Sequence, residues 1–381
     1  MEFSIVDLIS LLLFFLLPLL AFFFFTTSSE NPLSNSLMGV FLVINAIDSG
    51  PFFILDWLYR SFPGWSLLLS STVLFKAPVI YLYFKSVMYT DFKLNRDSIL
   101  HVLPFLFVTV LFLPRFYMVD QEEKLNFLYS WFEGFNETKI SYLIIHLQVL
   151  GYLIASYLLI RNYRKVLLEN YSDRDQFNYA WLYSFLILYT VNFLMSSVKN
   201  LFLFLDAIDL YQYLISVAQS LFLGFIYWIF WKALKSPMLF RGVSTTLRIS
   251  SDLKKVSDHK ADYDPLIDSN LKKLKEYMIQ HQPYLDASLT LESLADQLNM
   301  VTRDLSPLIN QHAGQHFFDF INSYRINKAK EMIENPADEK MTILEILYQV
   351  GFNSKSSFNT AFKKHAGMTP TQFKDSVNRA I

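Results

Sequence analysis

Two groups of polar residues near the carboxyl end of the sequence have the side-chain chemistry needed to contact a nucleic acid. In each group they face away from an apolar stripe of helical period, so they would project outward from a helix. Their hydroxyl, amide and charged groups could donate to or accept from base edges and phosphates. A solvated helix face is also polar, so polarity alone does not distinguish the two roles. The first group is Arg303, Asp304, Ser306 and Asn310, and the second is Ser354, Lys355, Ser356, Asn359, Thr360 and Lys363.

A second chemical signal is a pair of opposite charges in apolar surroundings. Asp48 and Lys76 each lie about 11 residues into a long apolar run, which at a rise of about 1.5 Å per residue is near the middle of a membrane. Charges at that depth are costly and commonly mark a functional site. Two interpretations stay open: a buried structural ion pair, or a membrane signal site in which the pair lines a cavity for a ligand or ion.

Sequence features of catalysis and of cofactor binding do not stand out. The chain has no phosphate-binding glycine loop, no histidine-kinase or cyclase signature, and no pair of carboxylates at a credible spacing in its C-terminal part. It has no cysteine, which excludes disulfides, thiolate metal sites and cysteine nucleophiles. We therefore expect a protein that is not an enzyme, with no catalytic residues, no metal site and no cofactor.

The elements that must hold these residues belong to two dissimilar halves. Of the 381 residues, 53% are hydrophobic and 17% aromatic, more than an ordinary globular protein contains. Nearly all of this excess lies before residue 236, in runs of about 20 residues, and the first run is too long for a signal-peptide core. The sequence predicts an all-α protein in which residues 1–235 form a bundle of about seven transmembrane helices. The predicted spans are roughly 3–25, 37–58, 65–89, 98–119, 140–160, 177–205 and 211–234.

Basic residues between the spans predict their orientation. If the N-terminus is outside, most Lys and Arg fall in the inner loops and few in the outer ones. The positive-inside rule and the odd number of spans then agree, because both place the C-terminal domain in the cytoplasm. We expect the spans to lie in a bacterial cytoplasmic (inner) membrane. The inner set is Lys85, Lys93, Arg96, Arg161, Arg164, Lys165, Arg174, Lys232, Lys235 and Arg241, and the outer set is Arg60, Arg115, Lys124 and Lys139.

A duplication organises the C-terminal part. A linker rich in Ser, Asp and Lys, residues 236–264, is expected to be flexible or only partly helical and to precede a domain at 265–381. Within that domain one apolar stripe recurs after 52 residues and the next after 53, which predicts two units of helix, turn and helix. The units are expected at about 290–311 and 343–365, joined by a helix at 316–334. That connector would be about 29 Å long, close to the separation of about 34 Å between successive major-groove faces.

Turn residues support both units. Asn299 can take the left-handed conformation that ends a helix, and Thr302 is a good N-cap for the next one. In the second unit Gly351 is expected to form the turn and Ser354 to cap the following helix.

The segments LTLESLADQLNM, FFDFINSYRINKAKEMI and ILEILYQVGFNSKSSFNTAFKKHAGMTPTQF resemble the DNA-binding domain of AraC/XylS-type transcriptional regulators. The resemblance covers roughly residues 271–378, under a third of the chain. It implies a seven-helix domain that inserts two recognition helices into successive major grooves and usually acts as an activator, with RNA polymerase as a further partner. Pro307 departs from the family, where a polar or basic residue that contacts a base often stands. The residues that match the family's second unit are Gly351, Phe352, Ser354, Phe358, Phe362, Lys363, Gly367, Thr369, Pro370 and Phe373.

These features lead to three hypotheses. The leading one is a one-component membrane sensor whose spans receive an unknown small-molecule or membrane signal and whose cytoplasmic domain binds double-stranded promoter DNA. In the second, the membrane half is a transporter or enzyme and the DNA-binding domain reports its activity. In the third, the lipid bilayer only anchors a regulator that proteolysis releases. A stripe of small residues at Ser216, Ser220 and Gly224 would suit a homodimer or packing within the bundle.

Overall fold

The structure, a computed structural model, is all-α over the residues that it describes, which confirms the all-helical part of the prediction. It contains 17 α-helices and no strand there, and an isolated antiparallel bridge joins Tyr171 and Thr290. The chain forms two compact units, Met1–Ile160 with Asn178–Ser244, and Arg161–Phe177 with Thr245–Ile381. The described residues are 4–27, 31–50, 52–130, 135–173, 179–205, 207–235, 265–336 and 341–380. The predicted linker at 236–264 lies outside them.

The first unit contains the apolar helices, except that the end of α8, residues 161–170, belongs to the second unit. Five of its described helical segments are long and apolar enough to cross a membrane, judged by length and composition: Ile5–Thr26, Pro63–Met88, Asn136–Asn170, Tyr179–Phe204 and Ile208–Leu234. A shorter apolar helix spans Pro32–Asp48. In chain order the helices are α1 Ile5–Thr26, α2 Pro32–Asp48, α3 Phe52–Ser61, α4 Pro63–Ser70, α5 Lys76–Met88, α6 Leu103–Leu111, α7 Gln121–Tyr129, α8 Asn136–Asn170, α9 Tyr179–Phe204 and α10 Ile208–Lys235.

Three of the seven predicted spans are not single α-helices. The span predicted at 65–89 consists of α4, a 3-10 segment at Ser71–Phe75 and α5, which together make up the helical segment Pro63–Met88. The span predicted at 37–58 is divided between α2 and α3, because Gly50-Pro51 disfavours a continuous helix. The span predicted at 98–119 consists of a 3-10 segment at Arg96–Val102, the 9-residue helix α6 and a π-helical turn at Leu113–Tyr117. Proline lacks the backbone donor that a continuous helix needs, which accounts for the breaks near Pro104 and Pro114.

Aromatic rings form the core of the first unit where its helices meet. The ring of Phe185 on α9 lies 6.2 Å from that of Phe41 on α2 and 5.6 Å from that of Phe84 on α5, measured between centroids. Phe225 on α10 completes the group at 5.0 Å. Edge-to-face contacts of this kind add to the stabilisation from burial and fix the relative position of the helices.

The second unit contains both predicted helix-turn-helix pairs. The first helices of the two pairs begin at Leu291 and Ile343, 52 positions apart, and the second helices begin at Thr302 and Lys355, 53 positions apart. The helix starts therefore repeat with the same offsets as the apolar stripes of the sequence. The helices are α11 Pro265–His281, α12 Leu291–Gln297, α13 Thr302–Pro307, α14 Phe317–Glu334, α15 Ile343–Gln349, α16 Lys355–Ala366 and α17 Pro370–Ala380.

Capping residues set most of these boundaries as expected. Asn299 is left-handed at φ 52°, Gly351 has φ 90°, and the Ser354 side chain accepts from the Ser357 backbone N–H. The prediction for Thr302 was wrong, because Val301 is the N-cap residue of α13 and makes no side-chain cap. The first recognition helix therefore starts without the capping hydrogen bond that α16 has.

Helix α14 joins two separate apolar cores. Its 18 residues extend for about 27 Å. Phe317 and Ile321 near its start belong to the core of the first pair, and Ile326 and Ile333 near its end belong to the core of the second. The two helix-turn-helix pairs thus have separate apolar cores, and both cores include residues of α14.

Candidate nucleic-acid interface

The second recognition helix, α16, presents the face that the sequence predicted. Phe358, Ala361 and Phe362 are buried in the core of the second pair. On the opposite side Lys355, Ser356, Thr360 and Lys363 are exposed, and Asn359 is half-exposed. The Ser354 hydroxyl oxygen accepts a hydrogen bond from the Ser357 backbone N–H at 3.2 Å. Its side chain therefore caps the start of α16 and helps to position the exposed face.

This face continues beyond the helix as a concave surface. Asn359, Thr360, Lys363, Lys364 and Thr369 line it. Lysines in the last turn also complement the negative end of the helix dipole. The surface therefore offers amide and hydroxyl groups for hydrogen bonding beside two ammonium groups that suit phosphates.

An ion pair holds α16 against the connector. The Lys364 ammonium lies 2.6 Å from a carboxylate oxygen of Asp319 near the start of α14. The Lys364 side chain is still 59% exposed, so its charge is accessible from solvent. The pair adds a surface contact between α16 and α14, beside the buried core that holds α16 in place.

The first recognition helix is less well matched to its predicted role. Arg303 and Asp304 are exposed, whereas Asn310 is half-buried and its amide lies 3.3 Å from the Ser306 hydroxyl. Ser306 was predicted to project outward and is instead buried, with 6% of its surface exposed. Around the axis of an α-helix, Ser306 is rotated by about 100° from Leu305 and by about 60° from Ile309. It therefore lies beside these two buried residues, on the buried side of the helix.

Pro307 shortens this helix. The α-helical hydrogen bonding of α13 covers 6 residues and changes to a π-helical turn at Leu308–His312. Because proline has no backbone N–H, the regular ladder cannot continue through it. The first unit therefore offers two exposed side chains, Arg303 and Asp304, in place of the four predicted.

Electrostatics gives the domain little general attraction for DNA. From residue 265 onward the sequence has 13 Lys and Arg and 13 Asp and Glu. Non-specific affinity for DNA grows with the number of phosphates that the protein neutralises. A domain with no net charge therefore depends on specific contacts or on a high local concentration.

Arg325 is a structural centre that the sequence analysis missed. It lies in the middle of α14 with 0% of its surface exposed. Its guanidinium donates to the backbone oxygens of Tyr284 and Asp286, each at 2.7 Å, and to both oxygens of Ser172, at 3.1 and 3.3 Å. Burial lowers the pKa of Arg325 to about 10 while Asp173 and Asp286 act in the opposite direction, so the side chain stays charged at neutral pH.

The two charged residues predicted inside the apolar half are brought together. The Lys76 ammonium contacts an Asp48 carboxylate oxygen. The Lys76 side chain is 14% exposed and that of Asp48 is 45% exposed, so the pair is open on one side. Lys199 on α9, which the sequence analysis did not single out, is close enough to interact electrostatically with both, and its ammonium lies 5.5 Å from the centre of the Tyr211 ring.

Comparison with known proteins matches the C-terminal part of the chain. Residues 294–376 match the model of a family described as a helix-turn-helix domain. The Msm operon regulatory protein of Streptococcus mutans serotype c is 28% identical over 90 residues, 24% of this chain and 31% of the relative. An uncharacterized HTH-type transcriptional regulator of Escherichia coli (strain K12) is 28% identical over 85 residues, 22% of this chain and 29% of that protein. The chain therefore spans less than a third of the length of either relative.

Two solved structures are also similar in this region. The C-terminal domain of AraT, a response regulator from Geobacillus stearothermophilus, is 29% identical and 86% covered, with a TM-score of 0.24 over 30% of this chain. The C-terminal domain of the two-component response regulator yesN from Fusobacterium nucleatum is 31% identical and 98% covered, with a TM-score of 0.24 over 28% of this chain. With the family match and the curated relatives, the C-terminal part of the chain is a helix-turn-helix domain similar to those of transcriptional regulators.

Proposed function

We propose that this protein is a membrane-bound one-component transcriptional regulator. Its C-terminal domain binds double-stranded promoter DNA through α16 and the exposed residues of α13, and its N-terminal half senses a signal in the lipid bilayer. The observation that carries the proposal is the duplicated helix-turn-helix with an exposed polar recognition face, on a chain that also has five membrane-length apolar helices. A domain that is uncharged overall gains from confinement, because tethering raises its local concentration at sites within reach.

The membrane part of the proposal includes seven crossings. Helix α2 is 17 residues long and nearly sufficient for a span. The segment at 96–117, which changes helix type along its length, would supply the remaining span if neighbouring helices satisfy its backbone. The N-terminus then lies outside and the helix-turn-helix domain in the cytoplasm of a bacterium. RNA polymerase and a second copy of the chain are the protein partners that we infer, and the Asp48–Lys76 pair is our proposed signal site.

Chromatin immunoprecipitation of the full-length protein from intact cells tests the proposal. We expect enrichment of discrete promoter fragments, followed by a shift of the same fragments with the purified protein in detergent. Absence of any enriched promoter, or a reporter that is found outside the cell when fused after residue 381, would contradict it.

Lys355→Ala is expected to weaken binding to the enriched promoter. Lys355 is exposed at the first position of α16, where side chains of a recognition helix meet base edges, and loss of a base contact costs about 1 to 3 kcal/mol. Asn359→Ala should have a similar effect. The measurement is a gel-shift titration at two salt concentrations, which separates a base contact from a phosphate contact.

Lys272→Ala is the matched control. It removes the same charge from an exposed side chain on α11, which is not one of the recognition helices. If Lys355→Ala and Lys272→Ala bind the promoter as the unchanged protein does, Lys355 is not part of the interface.

Asp48→Asn is expected to destabilise the membrane half and alter the response to signal. The change removes the charge that receives the Lys76 ammonium, and a hydrogen bond to a charged group contributes about 1.5 to 3 kcal/mol. Thermal unfolding in detergent and promoter occupancy in cells are the two measurements. Asp209→Asn, an exposed carboxylate in the first turn of α10, is the control, and equal behaviour of the two variants would dismiss the pair as a site.

A further inference from the structure

Residues 171–173, which directly follow α8, pack into the second unit against the first helix-turn-helix. Tyr171 forms a backbone bridge with Thr290. The Ser172 backbone N–H and hydroxyl both donate to the carbonyl of Leu289, at 3.3 and 2.7 Å. Leu289 and Thr290 immediately precede α12, and Thr290 is its N-cap.

The same three residues also reach the connector and the second helix-turn-helix. Ser172 receives two hydrogen bonds from Arg325 on α14. The Asp173 carboxylate accepts from the side-chain amide of Asn353 at 2.8 Å, and Asn353 lies in the turn between α15 and α16. With 2% of Ser172 and 8% of Asp173 exposed, the contact is built into the interior.

Apolar packing attaches each helix-turn-helix pair to α14 separately, without a core that the two pairs share. Their cores are distinct, and the residues of α14 between them include two buried polar side chains, Asn322 and Arg325. The amide of Asn322 has no hydrogen-bond partner among the described residues, which is a cost that a settled interior avoids. Beyond the shared helix α14, the pairs meet where Gly351 lies close to the carbonyls of Tyr284 and Leu285. Hydrogen bonds of Arg325, Ser172 and Asp173 join the pairs at the same place.

The docked segment leaves the recognition surface accessible. Arg303, Lys355, Ser356, Thr360 and Lys363 are all exposed while residues 171–173 are in place. Docking is therefore compatible with DNA binding and does not mask the face that would contact it.

We propose that residues 171–173 act as a clamp that couples the membrane half to the spacing of the two recognition helices. Helix α8 runs without interruption from Asn136 to Asn170, so it links the predicted fifth span directly to the clamp. The route of the signal is then α8, not the linker at 236–264. A signal that moves α8 withdraws or seats the clamp, and the seated clamp holds the two helices in the arrangement that binds DNA. This inference rests on the proposed DNA-binding function.

The test compares full-length variants in lipid nanodiscs. Ser172→Ala with Asp173→Ala removes the hydroxyl and carboxylate contacts, whereas Ser172→Thr with Asp173→Asn retains a hydroxyl and an accepting oxygen. Asn162→Ala, at an exposed position of the same α8 extension, is the neutral control. Because the chain has no cysteine, Asp296→Cys and Gln349→Cys allow spin labels to be placed on exposed positions of α12 and α15.

We expect the double alanine variant to broaden the distribution of distances between the spin labels and to weaken binding to the enriched promoter about tenfold, within the range of about 5-fold to 150-fold common for coupled sites. The Thr/Asn variant and Asn162→Ala should leave both readouts near those of the unchanged protein. An unchanged distance distribution, or unchanged or tighter promoter binding, would overturn the clamp. If the unchanged protein binds no promoter, the proposed function fails, while the label distances still report whether the segment fixes the two units.

Discussion

Phe358→Ala is expected to unfold the second helix-turn-helix unit. The ring has 0% of its surface exposed and packs edge-to-face against Phe352 at 5.2 Å and Phe362 at 5.6 Å. Removing a fully buried aromatic side chain costs about 3 to 5 kcal/mol, because burial and ring contacts are lost and a cavity remains. That is a large part of the stability of a small domain, typically about 5 to 15 kcal/mol in total.

Hydrogen exchange of the full-length protein measures this effect locally. Protection should fall across α15 and α16 first, because they share the core that Phe358 fills. Phe358→Leu keeps most of the apolar volume and should cost about 1.5 kcal/mol or less. Tyr348→Ala, an aromatic truncation at a side chain that is 59% exposed, serves as the surface control. Protection in Phe358→Ala that equals that of Tyr348→Ala would contradict the assigned core.

The sequence was informative wherever structure depends on local spacing. The apolar stripes predicted the helices of both pairs, and the two offsets of 52 and 53 predicted their duplication. Thr290 with Ser293 and Thr342 with Glu345 form capping boxes, a signature set by two residues three positions apart. These are interactions between neighbours in the chain, so a single sequence contains them.

Errors arose where a position lay near the edge of a pattern. Ser306 follows Leu305 by one residue and was assigned to the outer face, but the buried sector of α13 is wide enough to include it. The span predicted at 37–58 had sufficient hydropathy, but hydropathy is an average over many residues and does not register that α2 ends at Asp48, just before the Gly-Pro sequence. In both places the polarity of the residues was read correctly, whereas the width of the buried face and the end of the helix were not.

Arg325 could not be identified from the sequence because its partners carry no sequence signal. Three of its four acceptors are backbone oxygens, which every residue has, and Ser172 is 153 positions away. The clamp is similarly hidden, since residues 171–173 are a short polar turn in a region that hydropathy assigns to the membrane half. Contacts of this kind depend on the tertiary fold and can be found only in the structure.

Arg325→Met should destabilise both helix-turn-helix units together. The substituted side chain has a similar length but no donors, so the carbonyls of Tyr284 and Asp286 and both oxygens of Ser172 lose their partner. The buried acceptors then have no donor, and the buried carboxylate of Asp173 loses the nearby positive charge. We expect a cost of about 3 to 5 kcal/mol. Arg325→Lys should recover only part of this, because an ammonium lacks the planar fork that reaches all four acceptors.

Lys328→Met is the control for the loss of a charge on the same helix. Its ammonium forms a surface ion pair with Glu331 at 3.0 Å, and such pairs contribute at most about 1 kcal/mol. Hydrogen exchange should show lower protection of α12 and α15 together in Arg325→Met, in contrast to the effect of Phe358→Ala, which begins in the second unit.

Combining Arg325→Met with Ser172→Ala separates the clamp from ordinary packing. If Arg325 and Ser172 act as one unit, the second substitution adds little to the first, because the hydrogen bonds it would remove are already lost. If the effects simply add, Ser172 contributes through Leu289 alone and Arg325 stabilises the domain without linking it to α8. Promoter binding is then measured on the unchanged protein, the two single variants and the double variant, at a temperature where all four are folded. Weaker binding under that condition is due to the lost spacing of the recognition helices, because the loss of stability no longer contributes.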